Sequence, residues 1–92
     1  MMIIEATVPG LLTDCTAGRA RFTVEAETLQ EAIDRIFDDY PLLKRHVYTE
    51  NGSVRKHVML CYNDRNIAWL DSLDVPLRSG DRLHVVQLVS GG

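Results

Sequence analysis

The chain has 92 residues, enough for one compact domain that buries on the order of 60% of the surface its unfolded form exposes. Hydrophobic residues make up 46% and charged residues 25%, the balance of a globular protein rather than of a disordered or fibrous one. A formal charge of −3 supplies no basic face for nucleic acid, and Met1-Met2-Ile3-Ile4 runs straight into Glu5, leaving no signal-peptide core or bilayer span. The expectation is a cytoplasmic protein, mature as written, with no nucleic-acid or membrane partner.

In chain order, Ile4, Ala6 and Val8 alternate with Glu5 and Thr7 before Pro9-Gly10, the period of a half-buried strand closed by turn residues. Ala20, Phe22 and Val24 repeat the alternation against Arg19, Arg21, Thr23 and Glu25. The two segments predict an antiparallel pair joined by a polar loop around Thr13 to Gly18.

The helix that follows is strongly specified. Thr28 and Glu31 form a capping box, in which hydroxyl and carboxylate each satisfy a free backbone N–H at the helix start. Leu29, Ala32, Ile33, Ile36, Phe37 and Tyr40 fall on one stripe, and Pro41 stops the helix. Asp34, Asp38 and Asp39 lie on the opposite face. General acid-base chemistry needs a desolvated carboxyl, so these three read as a solvated surface.

Residues 44 to 57 are polar and basic, with Asn51-Gly52 marking a tight turn; they read as a loop or small hairpin. Val58-Met59-Leu60-Cys61-Tyr62 is apolar throughout, as an interior strand is, and Asn63-Asp64-Arg65-Asn66 turns the chain. From Ile67 to Leu77 the pattern is irregular, with Trp69, Leu70, Leu73, Val75 and Leu77 expected to tuck over the core edge. Pro76 to Asp81 form a turn into a last strand, Leu83 to Val89. The order β-β-α-β-β predicts an α+β domain with a mixed sheet and one main helix packed on one face.

Residues capable of catalysis are sparse. Cys15 and Cys61 are far apart with no C-x-x-C spacing, and His46, His57 and His84 show no metal-ligand spacing. Two free thiols in a reducing compartment are the default. The feature that stands out is the end of the chain, where Ser90 alone separates the last strand from Gly91-Gly92. Glycine has no side chain to react, so the tail offers a carboxylate on a thin backbone that can thread a narrow slot.

Tyr62-Asn63-Asp64, the stretch Asp74-Val75-Pro76-Leu77-Arg78-Ser79-Gly80-Asp81-Arg82-Leu83 and the ending Val89-Ser90-Gly91-Gly92 resemble those of the sulfur carrier proteins of the molybdopterin synthase small subunit and thiamine sulfur carrier group, with the ubiquitin-like β-grasp fold. The first half of the chain matches only in element order, and the basic 44–57 insertion is similar to that of the longer members.

The resemblance implies a carrier, not an enzyme: a single β-grasp domain over 1–92 with a flexible Gly-Gly tail from about residue 89. It implies no catalytic residue, no metal and no permanently bound cofactor. An E1-like adenylating enzyme, using ATP and magnesium, would adenylate the Gly92 carboxylate. A sulfur donor, a sulfurtransferase or desulfurase, would displace AMP to leave a thiocarboxylate, and a downstream synthase would accept the sulfur. Gly91 and Ser90 would thread the partner's channel. Strand parity adds a docking surface. With Leu83, Val85, Val58, Leu60 and Tyr62 inward, His84, Val86, Leu88, Met59 and Cys61 share the outer face, an apolar patch of the kind that marks protein contacts. A register one residue off would return them to the core. Two alternatives stand beside the carrier: a ubiquitin-like modifier conjugated through Gly92 to lysines, and a non-catalytic binding subunit that does not need the tail. The final sulfur acceptor stays open between molybdopterin, cysteine, thiamine and other sulfur-containing products.

Overall fold

The computed structural model describes residues 1–88. Alternating burial builds the first two strands, β1 (Met2–Thr7) and β2 (Arg21–Ala26). Ile4, Ala6, Phe22, Val24 and Ala26 face one way into the core, and the pair is antiparallel from Met2 opposite Ala26 to Thr7 opposite Arg21. The expected polar loop between them is instead a turn of 3-10 helix over Gly10–Thr16. Leu12 anchors it in the core, and Thr16, fully buried, donates its hydroxyl to the Arg19 carbonyl at 2.5 Å. Ala17 ends it with φ of 55°.

Helix α1 spans Leu29–Asp39, and Leu29, Ala32, Ile33, Ile36 and Phe37 of the expected stripe are buried. Thr28 Oγ1 accepts from the Glu31 N–H at 3.2 Å as the capping box requires, while the Glu31 carboxylate reaches one residue further back, to the Glu27 N–H at 3.1 Å. Two more free N–H groups of the first turn find partners remote in sequence: Leu29 donates to the Val75 carbonyl and Gln30 to that of Leu73, both at 2.9 Å. The irregular 73–77 segment is thus the lid on the helix N-terminus.

Pro41 ends α1 and also begins a second helix, α2 (Pro41–Val47), which the sequence reading missed. Proline at a first helical position loses no intrahelical bond, so one residue serves as both stop and start. Leu43 and Val47 of α2 are fully buried, and Tyr40 at the junction packs its ring 4.9 Å from Phe22. Residues 48 to 54 then form the small hairpin, with Tyr48 bridged to Val54 and Gly52 at a φ of 83°.

Strand β3 (Val58–Tyr62) pairs antiparallel with β5 (Arg82–Gln87) and with β4 (Arg65–Asn66), a two-residue strand too short to show a period in sequence. Parallel pairing of β5 with β1 closes a mixed five-stranded sheet in the order β2-β1-β5-β3-β4. The helices cover one face, giving the expected α+β β-grasp. Between β4 and β5, Leu77 is buried and Leu70, Leu73 and Val75 pack against the core as expected. Trp69 does not; it is 76% exposed. Ile67–Trp69 is a single 3-10 turn, and with Ile67 directed into the core the residues following it in that tight turn face outward.

Candidate functional site

The last strand carries the chain toward its terminus, so the site is built from whatever fixes β5. At its base, Asp81 is only 9% exposed. It accepts from the Tyr62 hydroxyl at 2.5 Å, the Arg78 N–H at 2.7 Å and Asn63 Nδ2 at 3.2 Å. Asn63, with φ of 54°, also accepts from the Arg82 N–H through Oδ1 at 3.0 Å and donates its own N–H to the Arg82 carbonyl at 2.9 Å. Gly80 completes the turn at φ of 89°, where a side chain would be strained. Burial works to raise the Asp81 pKa, but the donors Tyr62, Arg78 and Asn63, with the Arg78 charge, outweigh it and hold the carboxyl below its ordinary value. Burial, then the hydrogen bond and charge of Asp81, push the Tyr62 phenol up to about 12 against the opposing Arg78 charge. The Tyr62-Asn63 turn and the Pro76–Asp81 turn, distant in sequence, are therefore one clamp at the start of β5.

Above the clamp, the sheet face away from the helices carries the proposed patch. Met59 lies directly opposite Val86, and Cys61 directly opposite His84. All four are half-buried, whereas Leu83, Val58 and Leu60 are buried and Val85 and Tyr62 pack against the core on the other face. Leu88, 43% exposed, follows β5, and its N–H donates to the His57 carbonyl at 2.6 Å, extending the ladder by one residue. Four of the five residues are thus paired across two neighbouring strands, with Leu88 two positions beyond Val86. Met59 also borders an open groove of about 560 Å³ lined by Val54, Ile67 and Leu70. Ser90, Gly91 and Gly92 lie outside the described residues.

Sequence reasoning missed Thr7. The parallel β1–β5 pairing sets it opposite His84, and its hydroxyl hydrogen-bonds His84 Nδ1 at 2.6 Å. This fixes the imidazole at the rim of the patch, with only the other ring nitrogen left for a partner. No local signal links residues so far apart in the chain. Away from the patch, Asp34, Asp38 and Asp39 are exposed, and Asp34 accepts from Gln30.

Burial, followed by the Asp14 charge, pushes the Cys15 thiol up, and burial pushes Cys61 up. At a given pH each therefore holds a smaller thiolate fraction than a free cysteine. No group of His, Cys, Asp and Glu side chains able to hold a metal occurs among the described residues. No helix among them is long and apolar enough to cross a membrane.

No curated protein matches the chain. Solved structures do. A chain of the Amycolatopsis orientalis BexX/CysO complex superposes with a TM-score of 0.77 at 21% identity, covering 97% of this chain and 99% of its own. The small archaeal modifier protein 1 of Haloferax volcanii gives 0.74 at 21% identity, with 97% and 100% covered. A chain from the complex of subunits 1 and 2 of the Helicobacter pylori molybdopterin-converting factor gives 0.64 at 23%, with 99% and 100% covered. At these identities the likeness establishes the β-grasp fold. The model of the ThiS family, by contrast, matches the sequence itself over residues 6–92, and the chain accordingly belongs to the ThiS family of β-grasp sulfur carriers, non-catalytic proteins that bind no permanent cofactor.

Proposed function

We propose that this protein carries sulfur as a thiocarboxylate on Gly92. An E1-like enzyme joins the Gly92 carboxylate to AMP from ATP, with magnesium, releasing pyrophosphate. The terminal persulfide sulfur of a sulfurtransferase or desulfurase attacks the acyl carbon and expels AMP, and a second thiol then cleaves the S–S bond of the acyl disulfide, leaving the thiocarboxylate and a disulfide on the donor. A sulfur-accepting synthase then uses the thiocarboxylate sulfur, and water restores the carboxylate. The observation that carries this reading is the family match, which runs through to residue 92 and so takes in Gly91-Gly92. In this proposal Ser90 and Gly91 thread the partner's channel, and a Cβ at Gly91 would obstruct a tight one.

His84, Val86, Leu88, Met59 and Cys61 are the docking surface in this proposal. Supporting it are their shared sheet face and the cross-strand pairs Met59–Val86 and Cys61–His84. His84 and Val86 lie on β5, the last described strand before Gly91-Gly92 in the sequence. Solved complexes of similar folds, BexX/CysO and the two subunits of the molybdopterin-converting factor, support docking to a protein partner. The compartment is cytoplasmic in this reading, where free Cys15 and Cys61 stay reduced.

Intact-mass spectrometry of protein gently purified from its own host, with fragmentation at the terminus, tests the proposal. The expected species is heavier by the exchange of one oxygen for sulfur at Gly92. Carboxylate alone under sulfur demand, accompanied by lysine-linked conjugates, refutes the carrier in favour of a modifier. A mature chain that does not end at Gly92 refutes both.

A further inference from the structure

Strand β2 is an edge of the sheet, paired only with β1 among the described residues. The Val8 N–H donates to the Ala20 carbonyl at 2.9 Å, continuing the register that sets Ala6 opposite Phe22 and Ile4 opposite Val24. Hydrogen-bonded pairs alternate along an antiparallel ladder. Ala20, Phe22 and Val24 therefore turn their backbone groups toward β1, and Arg21, Thr23 and Glu25 turn theirs outward. Among the described residues, none of these three takes part in a loop or turn backbone bond. The opening is bounded: beyond it, the Glu27 carbonyl already accepts from Leu77 at 2.9 Å.

We propose that this edge pairs with the same edge of a second copy, antiparallel and two-fold about Thr23. In that register Arg21 of each copy lies directly opposite Glu25 of the other, and Thr23 meets Thr23. The outward N–H and C=O of all three residues find partners. On the inner face Phe22 meets Val24, both core residues. Arg21 and Glu25 are exposed on the outer face, and Arg21 holds only a loose 3.7 Å contact to Glu5 of its own chain; its guanidinium has donors to spare for a second carboxylate. Shifting the pairing toward Glu27 meets the occupied carbonyl, so charge and backbone select the same register. A pairing this short buries far less than the roughly 1,200 Å² of a stable complex, so the association is weak and concentration-dependent. It also leaves the His84–Val86 patch uncovered, because β2 and β3 lie on opposite sides of β1 and β5.

Sedimentation equilibrium of the full chain over about a hundredfold range of concentration should show reversible dimerisation. Arg21→Glu and Glu25→Arg, each placing like charges opposite one another twice by symmetry, should each weaken it about tenfold or more. The double variant restores complementarity and should restore the dimer. Thr23→Pro should abolish it while leaving the β1 ladder bonded, since the lost N–H points outward. A chain that stays monomeric throughout overturns the proposal, as does a dimer indifferent to either single charge reversal or not rescued by the double. Thiocarboxylate formation is read separately by mass, so the two proposals fail independently.

Discussion

Replacing Asp81 by alanine tests the clamp that launches β5. The substitution removes the acceptor for three donors, the Tyr62 hydroxyl, the Arg78 N–H and Asn63 Nδ2. Tyr62 is half-buried and donates to a charged carboxylate, a bond worth about 1.5–3 kcal/mol. Arg78 and Asn63 are exposed, so water replaces much of their loss and each contributes nearer to about 0.5 kcal/mol. The expected destabilisation is about 3 kcal/mol, a Tm drop of roughly 12–24 °C for a domain of this size. Chemical denaturation at neutral pH measures it, with Tyr62→Phe expected to lose about half as much and a coupling of at least about 1 kcal/mol in the double-mutant cycle. Because the folded Asp81 pKa is depressed, its contribution is fully present above the unfolded carboxylate value of about 3.9 and is lost as pH falls through the lower folded value. Wild type and Asp81→Asn should therefore converge in acid. Tyr62, raised to about 12, gives the opposite limb: its stabilisation is complete below the unfolded value of about 10 and disappears as pH rises through the folded one. A loss below about 0.5 kcal/mol for Asp81→Ala, or a gap that persists unchanged in acid, would refute the assignment of this network as the anchor of β5.

Val86→Asp, placing a charge opposite Met59 on the outer face, should reduce affinity for the adenylating partner by about tenfold or more by calorimetry, with the circular dichroism spectrum retained; unchanged binding removes the patch. Thr28→Ala deletes the hydroxyl that accepts from the Glu31 N–H and should cost about 1 kcal/mol in urea denaturation. Cys15 and Cys61, both raised by burial, should react with a disulfide reagent at neutral pH more slowly than a free cysteine, and faster labelling of either would contradict the upward shift.

Much of this protein was legible along the chain because its strongest signals are local. Alternation at Ile4, Ala6 and Val8 and again at Phe22 and Val24, the Thr28–Glu31 cap and the Leu29–Phe37 stripe each reflect a period that side chains impose on their own element. The Gly91-Gly92 ending is likewise visible without a fold. Residues that answer to neighbours distant in sequence were not legible. Pro41 starts α2 because the helix buries Leu43 and Val47 in the core, and Trp69 turns outward because Ile67 occupies the core. Thr7 grips His84 through a parallel pairing that no turn announces, and Leu73 and Val75 cap α1 across the chain. The turns around Asn63 and Asp81 could be recognised as turns, but only the tertiary structure made them a single clamp, since a buried carboxylate must gather its donors from whichever segments the fold brings within hydrogen-bonding reach.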